Sequence, residues 1–407
     1  MKRQLRLVVT LIIVVMLVAV SISGCGRAKD PVPTPGEGKV ETLKFGIISF
    51  LTGPAAPWGI PNSRSINLGA WKVNDQGGFK VGDTTYKWDV VVYDSKYVPA
   101  EGVSALNRFI YDDKGKFVAI GGGSVVAASL QLLKENEILS LNFAGGGKMI
   151  TNPGNPLVFR YNPSIEIMYA TFIPYLQKNE NIKTMAVINP DDETGQSGAE
   201  AARLVADQFG VTIVAEEYFE RGTAELSPLL TKVMAANPDL IETSYTDPAT
   251  SALILKQARE LGYKGTILLS WGPDPKQVIQ IAGAHAEGAY MALAGPQEPQ
   301  NSAQQEIYTR FVARWPVGEF DPNIWHLTEV IPALTKAIVE TQSFDPNVLA
   351  QKLENMEWDS PAGTLAFGGS KVFGIKRQLL WPMTAYQVRG GKPVFVGTWQ
   401  VPAGILD

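Results

Sequence analysis

The chain is poor in the residues from which most catalytic and metal centres are built. A single cysteine, Cys25, stands in 407 residues, which excludes an intramolecular disulfide, a cysteine-rich zinc site and any two-thiol redox centre. Only two histidines are present, His285 and His326, and they show no HExxH-like spacing, so neither a histidine metal site nor any other metal is expected. Excess positive charge is missing as well: 36 Lys+Arg face 40 Asp+Glu. The first 24 residues hold three of those cations and no anion, which leaves 33 cations against 40 anions and a net charge of −7 on the rest. An acidic body of this kind argues against nucleic acid as a partner. With 45% hydrophobic and 19% charged residues, neither overall disorder nor a coiled coil describes the chain. No Gly-x-Ser-x-Gly elbow occurs, and neither histidine has a serine or carboxylate partner in a recognisable motif, so no enzyme and no cofactor are expected.

What is present starts with a targeting pattern. Lys2, Arg3 and Arg6 precede an apolar run over residues 7–20, interrupted only by Thr10, which closes in Ile22-Ser23-Gly24-Cys25. That order is a secretory signal over residues 1–24, and its run is shorter than the roughly 20 residues of a spanning helix. An uncleaved N-terminal anchor is the other reading. Because the one cysteine follows small residues at the cleavage point, the segment resembles a bacterial lipoprotein signal, with Cys25 as the lipid-bearing first residue. Residues 25–40, with Pro31, Pro33, Pro35, Gly36 and Gly38, read as a flexible tether.

From Thr42 onward, short β-branched runs alternate with longer amphipathic stretches. Strands are expected over 43–49, 88–93, 117–120 and 138–142, with a helix over 99–111 whose Val103, Leu106, Phe109 and Ile110 share one face. The pattern restarts after residue 156, with strands over 184–189, 211–216, 240–244, 266–270 and 289–293 and helices over 200–209 and 249–261. Helical stretches over 303–315 and 325–341 follow, then strand-like 365–367, 383–388 and 394–399. Alternation of this kind predicts an α/β fold with two doubly wound parallel-sheet lobes. The last segment is too short for a third lobe and is expected to complete both sheets, so that several strands form a hinge. The expected division is 41–160 with 290–375 for the first lobe and 161–289 with 376–407 for the second.

In open α/β sheets ligands lie beyond the C-terminal ends of the strands, so the residues there are the candidates. The first expected strand leads to a Gly/Pro loop carrying Trp58, whose ring either faces a ligand or packs on its own lobe. After the third comes Gly121-Gly122-Gly123-Ser124, where glycines admit a ligand to the backbone, Ser124 is placed to cap a helix, and free first-turn amides attract an anion. The fourth ends in Gly145-Gly146-Gly147-Lys148, which lacks the phosphate-loop pattern. In the second half Thr194, Asp247 and Asp274 follow strands; Asp-Pro at 247 and 274 reads either as a helix cap or as a carboxylate for a ligand ammonium.

Taken in order, Lys44-Phe45-Gly46-Ile47-Ile48, Thr52-Gly53-Pro54, Trp58-Gly59, Asn74-Asp75-Gln76-Gly77-Gly78, Val90-Val91-Val92-Tyr93-Asp94 and the later Lys256 to Gly262 stretch resemble a type I periplasmic solute-binding protein. The branch resembled is the leucine/isoleucine/valine-binding group of ABC-transporter receptors, from about Glu41 to the C-terminus. The resemblance implies a ligand carboxylate held at Ser124, Val125, Gly145 and Gly146 and an ammonium met near Asp274 and Asp247. Val125, Gly146 and Thr194 depart from that amino-acid-binding pattern, which opens the ligand class to other small carboxylates, amides and aromatic acids. The expected protein is a monomeric lipoprotein of the cell envelope, facing the periplasm or the outside and delivering a small-molecule ligand to an ABC permease. A membrane-tethered receptor feeding a sensor kinase is the alternative, and a secreted enzyme the third.

Overall fold

In the computed structural model, which describes residues 39–53, 55–145, 154–243, 246–270 and 275–407, the second half of strand β1 (Val40–Ser49), from Phe45 onward, is buried on both faces. Phe45 and Ile47 enter one apolar cluster and Ile48 another, while Gly46 leaves room for the Phe109 ring, which a Cβ there would approach to 2.9 Å. A strand covered on both sides belongs in the middle of a parallel sheet. The chain continues through β2 (Phe79–Val81), β3 (Thr84–Asp94), β4 (Phe117–Ile120), β5 (Leu139–Asn142) and β6 (Val158–Arg160). It then forms β7 (Thr184–Pro190), β8 (Thr212–Phe219), β9 (Leu240–Thr243), β10 (Thr266–Leu269) and β11 (Tyr290–Leu293). Last come β12 (Glu357–Ser360), β13 (Gly363–Gly368), β14 (Gln378–Leu379), β15 (Met383–Arg389) and β16 (Lys392–Trp399).

These strands make two sheets, in the orders β12-β13-β14-β6-β5-β4-β1-β3-β2 and β16-β15-β11-β10-β9-β7-β8. The middle of each is parallel and the C-terminal strands β12, β13, β15 and β16 add antiparallel edges, so the final segment completes both sheets. The chain passes between sheets after β6, after β11 and after β14, and the multi-stranded hinge read from the sequence is therefore present as three crossings. Two edges of the expected division differ. Tyr290–Leu293 pairs with β10 and β15 in the second sheet, and Gln378–Leu379 pairs with β6 and β13 in the first, because hydrogen bonding rather than chain position assigns a short strand.

The 3-10 segment Pro322–Glu329 touches every crossing. His326 Nε2 donates to Asn162 Oδ1 at 2.8 Å beside the first, and Trp325 Nε1 donates to the Pro296 carbonyl at 2.9 Å in the second. Trp381 at the third donates to the Ala294 carbonyl and packs its ring against His326. The sequence pattern expects one helix over 325–341, yet the α-helix begins only at Val330. Pro332 cannot donate to the carbonyl of residue 328, and Gly69 of the Ala56–Asp75 helix brings its backbone against that same Thr328 carbonyl. His326 is consequently a core residue, and burial pushes its imidazole down to about 3, so it is neutral at physiological pH.

Cys25 and the tether lie outside the described residues, apart from the tether's last two. Among the described residues no helix is long and apolar enough to cross a membrane.

Candidate functional site

The parallel strands β5, β4, β1 and β3 of the first sheet end at one edge, and the loops there are fixed from below by a small number of polar contacts. Asp94, the last residue of β3, accepts from the Leu51 and Lys96 amides, each at 2.8 Å, and from the Thr52 hydroxyl at 2.6 Å. Partial burial by itself raises this carboxyl, but the Thr52 hydroxyl and the backbone amides outweigh it and hold the group below its ordinary value. The loop after β1 is thereby pinned to the end of β3. Beside it, the Ser49 and Ser63 hydroxyls both donate to the Gly59 carbonyl at 2.9 Å.

Trp58 does not sit in a loop, as the Gly/Pro pattern suggested, but in the first turn of the helix Ala56–Asp75, with Pro57 at its start, where a proline costs no hydrogen bond. Its side chain is 38% exposed, so it is not absorbed into its own lobe. Gly59 decides how close that helix comes: a Cβ there would stand 2.0 Å from the Phe50 carbonyl oxygen, a contact neither backbone can relieve by a rotamer change. Gly59→Ala is therefore expected to destabilise the protein by about 1–3 kcal/mol, the range for overpacking, read as a lower urea midpoint at unchanged slope. An unchanged midpoint would show that the helix moves freely over the strand end.

The glycines after β4 have a second use that the sequence pattern hides. A Cβ on Gly121 would meet the Phe143 ring at 2.3 Å, and one on Gly122 the Tyr97 ring at 2.9 Å; Gly122 also has φ +84. Protein rings take the space that was expected for a ligand. Phe50, Tyr97 and Phe143 form an aromatic group there, with Phe50 and Tyr97 edge to face at 5.0 Å. Tyr97 reaches it because Lys96 and Tyr97 both adopt left-handed backbone, at φ 54 and 62. Nothing in residue type signals such a turn, and both Phe50 and Tyr97 are absent from the residues singled out by sequence.

The helix that follows spans Gly123–Glu135, and its cap is Gly122, with no side chain bonding into the first turn. Ser124 is not the cap that was expected. It lies at the second helical position and is exposed, so its hydroxyl faces outward beside the amides of Gly123, Ser124 and Val125, which have no intrahelical acceptor by position. Val125 differs from expectation as well: the residue is fully buried, its side chain packed with Ile48, Leu106 and Phe109 and against Gly102. A β-bridge between Gly121 and Phe143 brings the β5 loop, with Gly145, alongside this helix start. Gly146 and Lys148 lie outside the described residues.

In the second sheet the adjacent strands β7 and β9 deliver Thr194 and Asp247. Asp192 caps the helix Glu193–Phe209 through the Gly195 amide at 3.0 Å and also accepts from Arg221 Nε at 2.5 Å, with half-buried Thr194 in the same turn. Asp247 caps the helix Pro248–Glu260, accepting from the Thr250 amide at 2.9 Å through Oδ1. The capping half of the Asp-Pro reading is therefore observed at 247, as it is at Asp345. Asp274 lies outside the described residues. Among those described, no group of three or more metal-capable side chains gathers anywhere.

At the strand ends, then, the first sheet has a glycine-capped helix start and the second has two capping carboxylates, Asp192 and Asp247. Comparison with known proteins bears on the family and the fold. The leucine-, isoleucine-, valine-, threonine- and alanine-binding protein of Pseudomonas aeruginosa is 22% identical over 333 residues, covering 80% of this chain and 86% of the relative. The branched-chain amino acid transporter substrate binding protein of Streptococcus pneumoniae, solved with isoleucine, superposes with a TM-score of 0.71 at 16% identity, over 89% of this chain and 99% of the other. An R. palustris ABC transporter solute binding protein, solved with 4-hydroxybenzoate, gives 0.70 at 17%, again over 89% and 99%. The model of the periplasmic binding protein family matches residues 42–392, and the resemblance read from the sequence is borne out. Since that match runs from the first strand through all three crossings to the last hairpin, the chain belongs to the periplasmic binding protein family.

Proposed function

We propose that this protein is the solute receptor of an ABC transporter, which binds a small carboxylate-bearing solute between its two lobes and hands it to the permease. The observation that carries the reading is the start of the Gly123–Glu135 helix beyond the end of β4, where Ser124 is exposed and the first-turn amides have no intrahelical acceptor by position. An acidic protein needs a local positive potential to hold an anion. Helix-start amides supply one without the desolvation cost of a buried Lys or Arg. The two relatives solved with ligands point the same way, since isoleucine and 4-hydroxybenzoate have little in common except a carboxylate. Trp58 would lie against the apolar part of the solute, and Thr194, Asp247, Gly145, Gly146 and Asp274 would complete the surround.

A thermal-shift screen of amino acids, short carboxylates, amides and aromatic acids tests this, because a solute that binds only the folded state raises its Tm. With a verified solute, Ser124→Ala is expected to weaken binding by about 0.5–3 kcal/mol, the upper part applying to a charged acceptor. Trp58→Ala should cost more than that for a bulky apolar solute and little for one as small as acetate. Wild-type affinity in both variants would remove this placement of the site.

The same reading has the receptor held at the envelope by lipid on Cys25, with residues 25–40 as its tether. Cys25→Ala is then expected to abolish fatty-acid labelling and to release the protein from membranes. Equal membrane retention with no label on either form would sink the lipid anchor.

A further inference from the structure

Three neighbouring strands of the second sheet end in buried polar side chains that no described residue satisfies. Asn189 in β7, Thr243 at the end of β9 and Ser270 just after β10 are all 0% exposed, yet both amide atoms of Asn189, Thr243 Oγ1 and Ser270 Oγ have no hydrogen-bond partner among the described residues. Native proteins rarely leave such groups unpaired, and three on adjacent strands call for a common partner. The register shows which of them act together. Val187 and Leu268 flank Glu242 on either side, and Asn189 and Ser270 stand two residues further along the same strands, hence on the same face. That is the face covered by the helix Ile165–Glu180, whose Tyr169 hydroxyl donates to Glu242 Oε2. Thr243 lies on the opposite face. All are at the C-terminal ends of parallel strands, the end at which an α/β sheet receives its ligand.

We infer that Asn189 and Ser270 form the polar far end of the solute pocket and select a carboxylate whose other end carries a hydroxyl or carboxamide over one with an aliphatic end. This rests on the carboxylate-receptor reading above and names its solute class. Asn189 offers a donor and an acceptor, and the Ser270 hydroxyl can serve as either, so the complementary group is a neutral one that does both. An aliphatic end placed there would leave these atoms unpaired with water excluded, which is how a site built to hydrogen-bond a hydroxyl rejects the analogue lacking it.

The test is isothermal titration with shape-matched pairs: asparagine against leucine, threonine against valine, and 4-hydroxybenzoate against 4-methylbenzoate. For any pair that binds, the polar member is expected to bind about tenfold tighter or more. Asn189→Leu should bring that ratio close to one or invert it, and Ser270→Ala, a smaller change that keeps the fold if the first does not, should lower it several-fold. Ser124→Ala should weaken both members alike and leave the ratio unchanged. Equal binding of polar and aliphatic members by the wild type overturns the inference while leaving the carboxylate reading in place. So does a ratio untouched by either second-lobe variant when both lower the Tm, the signature of a row filled by structural water. If no member of any pair binds, the carboxylate reading itself falls and this inference with it.

Discussion

Trp381→Ala is expected to lower stability by about 3–5 kcal/mol, the range for removing a fully buried tryptophan. The indole is 2% exposed at the third crossing, its ring lies 6.0 Å from that of His326, and its Nε1 donates to the Ala294 carbonyl in the second crossing. Truncation therefore opens a cavity between two connections and also leaves a buried carbonyl without its donor. Trp381→Phe separates the two effects, since it keeps most of the apolar volume and should cost only about 1–3 kcal/mol for the unpaired carbonyl. Urea unfolding of both variants reads this directly. A loss below about 1 kcal/mol for the alanine variant would mean that the crossings are not packed through this ring.

The second large effect is one of pH. Burial holds His326 at about 3, against an ordinary value of 6.5, and the same burial raises Glu329 from 4.5 to about 7, partly opposed by the charge of Lys72 and the Trp358 N–H. For His326 the unfolded chain takes up a proton below pH 6.5 that the folded chain refuses, so its contribution is present above 6.5 and is lost as pH falls towards 3. For Glu329 the folded chain keeps a proton that the unfolded chain releases above 4.5, so its contribution is full below 4.5 and is lost as pH rises to about 7. Between 6.5 and 4.5 the two slopes have opposite signs and similar size, about 1.4 kcal/mol per pH unit each. They nearly cancel in the wild type.

Glu329→Gln removes one of them. The variant is expected to lose about 2–3 kcal/mol relative to wild type as the pH is lowered across that window, whereas His326→Gln should gain relative to wild type over the same range. Urea midpoints at three pH values distinguish these. Parallel pH profiles for the wild type and Glu329→Gln would show that the two groups do not titrate as their burial dictates.

Much of the architecture was legible along the chain because it depends on local periodicity. The helix Pro99–Tyr111 and the strand Phe117–Ile120 have the boundaries that their apolar spacing predicts, and the restart of the pattern near residue 184 announced the second sheet. At Asp247 the cap, one of the two readings its Asp-Pro pair offered, was legible because a cap is a contact within three residues. Where a prediction depended on what lies across the fold, it was lost. The Gly/Pro segment around Trp58 reads as a loop but is helix, since Pro57 is tolerated in a first turn; Ser124 reads as a cap, but Gly122 takes that position in a conformation only glycine adopts easily.

The sequence by itself therefore determined the two-lobed α/β class, the C-terminal segment that completes both sheets and the strand-end loops in which a site had to be sought. It did so through composition, period and short-range chemistry, which need no knowledge of distant residues. Only the tertiary structure decided that Tyr290–Leu293 and Gln378–Leu379 change sheets, that Val125 packs inward against Gly102, and that Gly121 and Gly122 make room for Phe143 and Tyr97. It also decided that Asn189 and Ser270, 81 positions apart, stand on one face of one sheet. Each of those outcomes is a contact between residues far apart in sequence, and the free energy that selects it comes from close packing and hydrogen-bond satisfaction across the fold, which no local pattern encodes.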